Sequence, residues 1–172
     1  MNISFRKISE KDINQIIFWI RQPHVSEFWY SAKEKSDKEL YEKYTKRIEN
    51  DRILTLLILF DQKPIGLIQS YYLDDTSMFN IDHLAKGIDL FVGEIDQIGF
   101  GYGQKLLLQF LHEYIFSDPS VKYACIDPEV RNERAIHVYS KVGFQIVNTA
   151  IDKVSGLKTC YMVLSRDRFL NE

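Results

Sequence analysis

A chain of 172 residues, 45% hydrophobic and 27% charged, has the length for one sizeable core and the balance of an ordinary globular protein. A formal net charge of −2 argues against a nucleic-acid binder built on a broad basic surface. No apolar run approaches the roughly 18 residues of a membrane helix; ILTLLILF (53–60) has eight.

The opening MNISFRKISEKD carries no signal-like apolar core, so a cytosolic protein is expected. Cys125 and Cys160 stand in strand-like apolar contexts and read as buried reduced thiols. No repeat, low-complexity tract or linker interrupts the chain, which predicts a single domain over 1–172.

ISFRKIS (3–9) alternates as a half-buried strand does. Ser9 reads as an N-cap, with Asp12 in the first turn, before Ile13, Ile16, Ile17 and Ile20 at helical spacing; Pro23 ends that helix. A second helix is expected over 37–49, with Leu40, Tyr44 and Ile48 on one face. ILTLLILF, a turn at DQKP and IGLIQSYYL (65–73) predict two paired antiparallel strands. A loop over 74–86 leads to a further strand, GIDLFVG (87–93), and then to DQIGFGYGQKLL. From Gln104 the spacing predicts a helix with Leu107, Phe110, Leu111 and Tyr114 inward. KYACIDP (122–128) is a buried-type strand stopped by Pro128. RNERAIHVYSKVGF follows as a helix capped by Asn132 and ended by Gly143. FQIVNTAID and, past a Gly156 turn, KTCYMVLS are the closing strands. The order is mixed α/β, and the central strand–loop–helix–strand unit should be a parallel, right-handed crossover.

Charge is unevenly spread. Between Tyr71 and Gln97 stand Asp74, Asp75, Asp82, Asp89, Glu94 and Asp96 against the single Lys86. Such a stretch is either a solvated acidic loop or a pocket that draws in polycationic small molecules by its field.

The glycines at 99, 101 and 103 lie just before a helix. A helix start offers amides with no internal partner and a partial positive charge, and bare backbone lets an anion lie on them. Phosphate is the obvious guest, although the same glycines also suit a tight turn. The spacing is neither the dinucleotide fingerprint nor a P-loop.

GIDLFVG, then IGFGYGQ opening a helix, then IDP, then NERAIHVYSKVGF together resemble the GCN5-related N-acetyltransferases. That resemblance implies their α/β (α+β) GNAT fold: a mixed, mostly antiparallel sheet of about seven strands flanked by about four helices. A splayed parallel strand pair in it binds coenzyme A. The family's phosphate loop, Arg/Gln-x-x-Gly-x-Gly, is met by Gly101 and Gly103, with Gln104 following. Ile98 stands at the Arg/Gln position, a departure that removes one side-chain contact and leaves the amides. The implied cofactor contacts are Ile98, Gly99, Phe100, Gly101, Tyr102, Gly103 and Gln104, with Phe91 and Val92 on the strand. The pattern Asn-x-x-Ala-x-x-x-Tyr-x-x-x-Gly-Phe is met by Asn132, Ala135, Tyr139, Gly143 and Phe144, adding Asn132, Ala135 and Tyr139 to those contacts.

Within the family the chain is similar to aminoglycoside 6'-N-acetyltransferases through HVSEFW (24–29), KPIGLIQSYYL (63–73), FSDPSVKYACIDPEVRNERAI (116–136) and YMVLSR. The acyltransferases of hydroxamate siderophore assembly share several of these stretches. The implied reaction is direct attack of a neutral amine on the thioester of acetyl-CoA. Asp89 matches the proposed base of the resistance enzymes. A carboxylate with a pKa near 4 is a poor base for an ammonium, which favours Asp89 as ammonium anchor and as proton acceptor directly or through water. Tyr139 is the family's proposed acid for the departing thiolate, and a backbone amide near Phe91 or Val92 its carbonyl polariser. Trp29, Gln69, Asp74, Asp75, Asp89 and Asp127 are the acceptor-side candidates. Three residues also have a plain structural alternative: Trp29 as a core aromatic, Tyr139 as a core tyrosine and Asp89 as a buried strand aspartate.

His24, His83, His112 and His137 show no metal spacing, so no metal is expected. The expected partner is a cationic small-molecule amine, with neither nucleic acid nor membrane; monomer and homodimer both stay open. A siderophore-precursor hydroxylamine acyltransferase and a non-catalytic acetyl-CoA sensor are the alternatives.

Overall fold

Seven strands form one mixed sheet in the computed structural model, which describes residues 2–171. They are β1 Ile3–Lys7, β2 Ile53–Phe60, β3 Lys63–Tyr72, β4 Ala85–Val92, β5 Tyr123–Ile126, β6 Gln145–Ile151 and β7 Lys158–Ser165, in the order β1-β2-β3-β4-β5-β7-β6. β4 and β5 run parallel, as the predicted crossover requires, while β1–β2, β5–β7 and β6–β7 are antiparallel. The parallel ladder has its rungs at Ala85↔Tyr123, Lys86↔Ala124 and Gly87↔Cys125. Among the described residues the ladder to β5 ends at Gly87, and β4 continues to Val92.

The chain gathers into two compact units, one made of the residues up to Ser70 with Asp89–Phe100, the other of Tyr71–Ile88 with those from Gly101 onward. In the first, helices α1 Ile13–Arg21, α2 Pro23–Ser26, α3 Ser31–Glu34 and α4 Asp37–Ile48 accompany β1, β2 and most of β3. Ile13, Ile16, Ile17 and Ile20 are buried as their spacing predicts, with Leu40 and Tyr44 of α4 and Leu57, Leu67 and Phe91 of the strands. Each such side chain removed from water contributes roughly 1.5–3 kcal/mol.

Local starts and stops differ from expectation near the start of the chain and at β4, which begins at Ala85 inside the expected loop 74–86. Ser9 caps a 3-10 turn, Glu10–Asp12, and α1 follows directly from it. Its N–H and Oγ donate to Asp12 Oδ2 at 2.7 and 2.9 Å, and Arg6 binds the same carboxylate, which holds the Asp12 carboxyl below its ordinary range. Helix α1 ends at Arg21, and Pro23 opens α2 rather than closing α1, because a proline lacks only an N–H that a first helical turn does not use. The predicted hairpin turn is present, with Asp61 and Gln62 at φ 45° and 69°, a turn whose twist matches its strands.

In the second unit α5 Gly103–Phe110 runs into a π turn, Leu111–Ile115. That wider turn shifts the frame: Ile115 and Phe116 go inward and Tyr114, expected inward, is half-buried. Helix α6 Glu133–Val142 is capped by Asn132, whose Oδ1 accepts the Ala135 N–H at 3.3 Å, and ends at Gly143 with φ 110°. Cys125 and Cys160 are both free and buried. A last helix, α7 Arg166–Asn171, carried no apolar spacing and was not anticipated.

Gly93, just past β4, packs against the fully buried Trp19; a Cβ there would fall 2.1–2.5 Å from the indole ring. Gly93→Ala is therefore expected to destabilise the protein by about 1–3 kcal/mol. The urea midpoint reads it, and an unchanged midpoint would refute the close approach.

Candidate active site

The first unit assembles its candidate residues on one face of two strands. Asp89 and Phe91 alternate along β4 and so share a face. Gln69 of β3 donates from Nε2 to Asp89 Oδ2 at 2.7 Å. A carboxylate only accepts, so this bond sets the orientation of the amide. The other end of Gln69 is therefore an acceptor: its side chain is 7% exposed, and Oε1 has no hydrogen-bond partner among the described residues. A buried orphan acceptor beside a carboxylate suits a ligand with several N–H donors.

Aromatic rings wall the same place. Trp29 meets Phe91 edge to face at 4.8 Å between centroids, and Trp19 meets it from another side at 6.4 Å. Trp19 Nε1 donates to Glu94 Oε1 at 2.7 Å. His24 Nε2 lies 3.2 Å from the Val92 carbonyl and 3.1 Å from that of Gly93. Both partners are acceptors, so that nitrogen carries the proton. From α4, Lys43 donates to Ser31 Oγ at 3.3 Å and sits 5.4 Å from the centre of the Tyr44 ring. Burial pushes the Lys43 amine down to about 8; Arg47 and Lys35 act in the same direction, and Asp89 in the opposite one. Burial also raises the Tyr44 phenol well above its ordinary value.

The glycine stretch follows a 3-10 turn, Ile95–Gln97. Gly101 has φ 79°, a conformation that side chains other than glycine's resist, and a Cβ there would meet nothing within 4 Å. The loop is thus left-handed by need and bare towards open space. Gly103 opens α5, one residue before the expected start, and its missing side chain lets α5 approach Val138 of α6. No side chain caps α5, and no acid stands in its first turn, so its amides and positive end are offered to an anion. Gln104 turns its Nε2 to the Lys141 carbonyl at 3.1 Å. Ile98 is half-buried, Tyr102 buried, and Phe100 exposed at 68%.

The second unit holds the remaining candidates. Ala135 and Tyr139 lie one turn apart on α6; Tyr139 is buried, with its ring 6.2 Å from that of Phe144. Asp127 is exposed just after β5, and Asp74 is exposed after β3. Asp75 Oδ1 accepts the Ser77 N–H at 2.9 Å, at the start of the turn Ser77–Phe79, and this bond lowers the Asp75 pKa. The Cys125 thiol is pushed up to about 12 by burial and by Asp127. No group of three or more His, Cys, Asp or Glu among the described residues could hold a metal ion.

Trp29, Gln69, Asp89 and Phe91, singled out from the sequence, thus lie together. Lys43, Tyr44 and His24 join them without having been anticipated. Lys43 neighbours Tyr44 on an amphipathic helix, where a lysine ordinarily reads as solvated surface.

A model of the acetyltransferase (GNAT) domain matches residues 9–151. The chain is 28% identical over 174 aligned positions to aminoglycoside N(6')-acetyltransferase type 1 of Klebsiella pneumoniae, covering 98% of this chain and 85% of that protein. The crystal structure of aminoglycoside acetyltransferase AAC(6')-Ib with coenzyme A and kanamycin is similar at TM-score 0.80 and 26% identity, covering 99% and 98% of the two chains. An uncharacterised protein of Bacillus halodurans shares the fold at TM-score 0.87 and 22% identity, covering 98% and 86%.

Gly101→Ala is expected to cost about 1–2 kcal/mol of stability through backbone strain alone, since the new methyl meets no neighbour. Urea unfolding measures it; a neutral or stabilising outcome would contradict the left-handed loop.

Proposed function

The chain belongs to the GNAT acetyltransferase family, and on that premise we propose that residues 1–172 act as one domain transferring acetyl from acetyl-CoA to an amine of a polycationic acceptor, the 6'-amino group of an aminoglycoside. The observation that carries the acceptor side is the buried Gln69 Oε1 without a partner beside the Asp89 carboxylate. An ammonium has three donors, and Asp89 with Gln69 offers it acceptors in a site walled by Trp29 and Phe91. The acidic stretch from Tyr71 to Gln97, Asp74 and Asp75 included, adds a field that attracts cations, and Asp127 is a further acceptor-side acid in this reading. The aminoglycoside enzyme of Klebsiella pneumoniae and the kanamycin-bound structure support the same class of acceptor.

The diphosphate of acetyl-CoA is assigned to the amides of residues 98–104, whose bare, uncapped geometry fits an anion. Acetyl-CoA supplies an acyl group already activated as a thioester. In this reading an amide of Phe91 or Val92 polarises its carbonyl, Asn132 and Ala135 add contacts, and Tyr139 donates a hydrogen bond to the departing sulfur. Asp89 anchors the acceptor amine and takes its proton directly or through water. Transfer is direct: a Cys125 thiol with a pKa of about 12 offers almost no thiolate at neutral pH. No helix among the described residues is long and apolar enough to cross a membrane, and this reading places the enzyme in the cytoplasm.

Release of free thiol from acetyl-CoA, compared for kanamycin, a polyamine and hydroxylysine, tests the assignment. Turnover with kanamycin is expected; turnover with none, or with hydroxylysine alone, would overturn it. Tyr139→Phe should lower kcat by about 10²-fold with coenzyme A affinity unchanged, and an unaltered kcat would take the phenol out of the mechanism. Asp89→Asn should lower kcat/KM for kanamycin by a similar factor, about 10², and an unaltered value would leave Asp89 a structural residue.

A further inference from the structure

We propose that His24 is a positioning residue for acetyl transfer: its one N–H, shared by the carbonyls of Val92 and Gly93, holds the end of β4 bent and aims the Val92 amide at the thioester carbonyl. This rests on the reading above in which an amide of β4 polarises that carbonyl. The geometry separates the two candidate amides. In an extended strand the N–H and C=O of one residue point to one side, and those of the next residue to the other. The Phe91 carbonyl lies against β3, where a Cβ on Gly66 would fall 2.2 Å from its oxygen. The Gly93 amide faces β3 as well and donates to the Ile65 carbonyl at 2.7 Å. Val92 stands between them, so its amide and carbonyl point away from β3. Of the two, it is Val92 that presents its N–H to a ligand on that side.

His24 meets the Val92 carbonyl on that same side. Its Nε2 lies 3.2 Å from the Val92 oxygen and 3.1 Å from that of Gly93. Regular alternation would send these two carbonyls in opposite directions, so one donor serves both only where the backbone turns. The other side of the turn matches. The amides of Gly93 and Glu94 both donate to the Ile65 carbonyl, at 2.7 and 3.1 Å, the two-against-one pattern of a β-bulge. A bulge bends its strand and re-aims the groups beside it. Here β3 grips the amides of the bulge and His24 grips its carbonyls. Helix α2 holds the imidazole in place, with Pro23 opening the helix and Val25 buried in the core of the first unit. Without His24, two carbonyls lose their shared donor and the Val92–Gly93 peptide is fixed from one side only.

His24 acts through the Val92 amide, so its signature lies in kcat and in the thioester carbonyl itself. His24→Leu removes the donor, whereas His24→Gln keeps an N–H at the same distance along the side chain. A donor displaced by about 1 Å can cost about 10²-fold in rate. With kanamycin, kcat should fall about 10²-fold in His24→Leu and return to within about tenfold of wild type in His24→Gln, with KM for kanamycin unchanged in both. The infrared carbonyl stretch of bound, carbonyl-labelled acetyl-CoA should lie at lower frequency in the wild type and His24→Gln than in His24→Leu, with equal affinity for acetyl-CoA. An unchanged stretch, an unchanged kcat, or a His24→Gln as impaired as His24→Leu would each overturn the proposal.

The stretch is read before any acceptor binds. A carbonyl that follows these variants in a protein inactive on kanamycin would uphold His24 and remove the proposed acceptor instead. The wild-type protein supplies a check that no variant's folding can disturb: a long-range proton–nitrogen spectrum should show the His24 proton on Nε2. A His24 protonated on Nδ1 alone would overturn the proposal by itself.

Discussion

The far end of β4 is fastened by its backbone, and the candidate acceptor residues take their positions from that fastening. The Ile65 carbonyl accepts from the amides of Gly93 and Glu94 at 2.7 and 3.1 Å. His24 donates to the carbonyls of Val92 and Gly93, and Trp19 both fills the space beside Gly93 and holds Glu94 by its indole N–H. With this end fixed, strand alternation alone decides that Asp89 and Phe91 face Gln69 and Trp29. The strand also ends here, and the turn Ile95–Gln97 and then the glycine loop follow it. Preorganisation of this kind is what lets a few hydrogen bonds select a ligand.

Electrostatics in the first unit is a balance around one carboxylate. Asp89 accepts a hydrogen bond from Gln69, and its charge favours the charged form of Lys43. Acidic residues are numerous along 71–97, yet they divide by task. Asp75 spends an oxygen on the Ser77 amide, while Asp89 faces the buried side-chain amide of Gln69. Counting charges along the sequence overstates how uniformly acidic the acceptor surroundings are, because Lys43, Arg47 and Lys35 come from a distant stretch of chain.

The glycines, too, have separate duties. Gly101 is required by its backbone conformation and leaves open space above it, whereas Gly103 lies close to Val138 of α6, where a Cβ would come within 3.3 Å of a methyl carbon. Only the first of these leaves the loop bare towards open space. The uncapped start of α5 supplies the rest, and the Ile98 departure from the family pattern leaves that supply of amides intact.

Much of this was legible in one dimension. Isoleucines at helical spacing, the alternation of the strands, the Asn132 cap, the Gly143 stop and the parallel crossover all follow from periodicity and local chemistry, which act between near neighbours in the chain. The glycine loop and the tyrosine helix carried the family resemblance, and the family match over 9–151 agrees with it. Other features depended on which distant segments meet. The π turn that displaces Tyr114 leaves no local mark, and neither does the use of Pro23 as a start instead of a stop. The orphaned acceptor of Gln69 and the burial of Lys43 arise only when β3, β4 and α4 come together. Desolvation is a property of surroundings, and a sequence lists neighbours along the chain but not across it; that is why the fold could be read beforehand and the surroundings of Gln69, Asp89 and Lys43 could not.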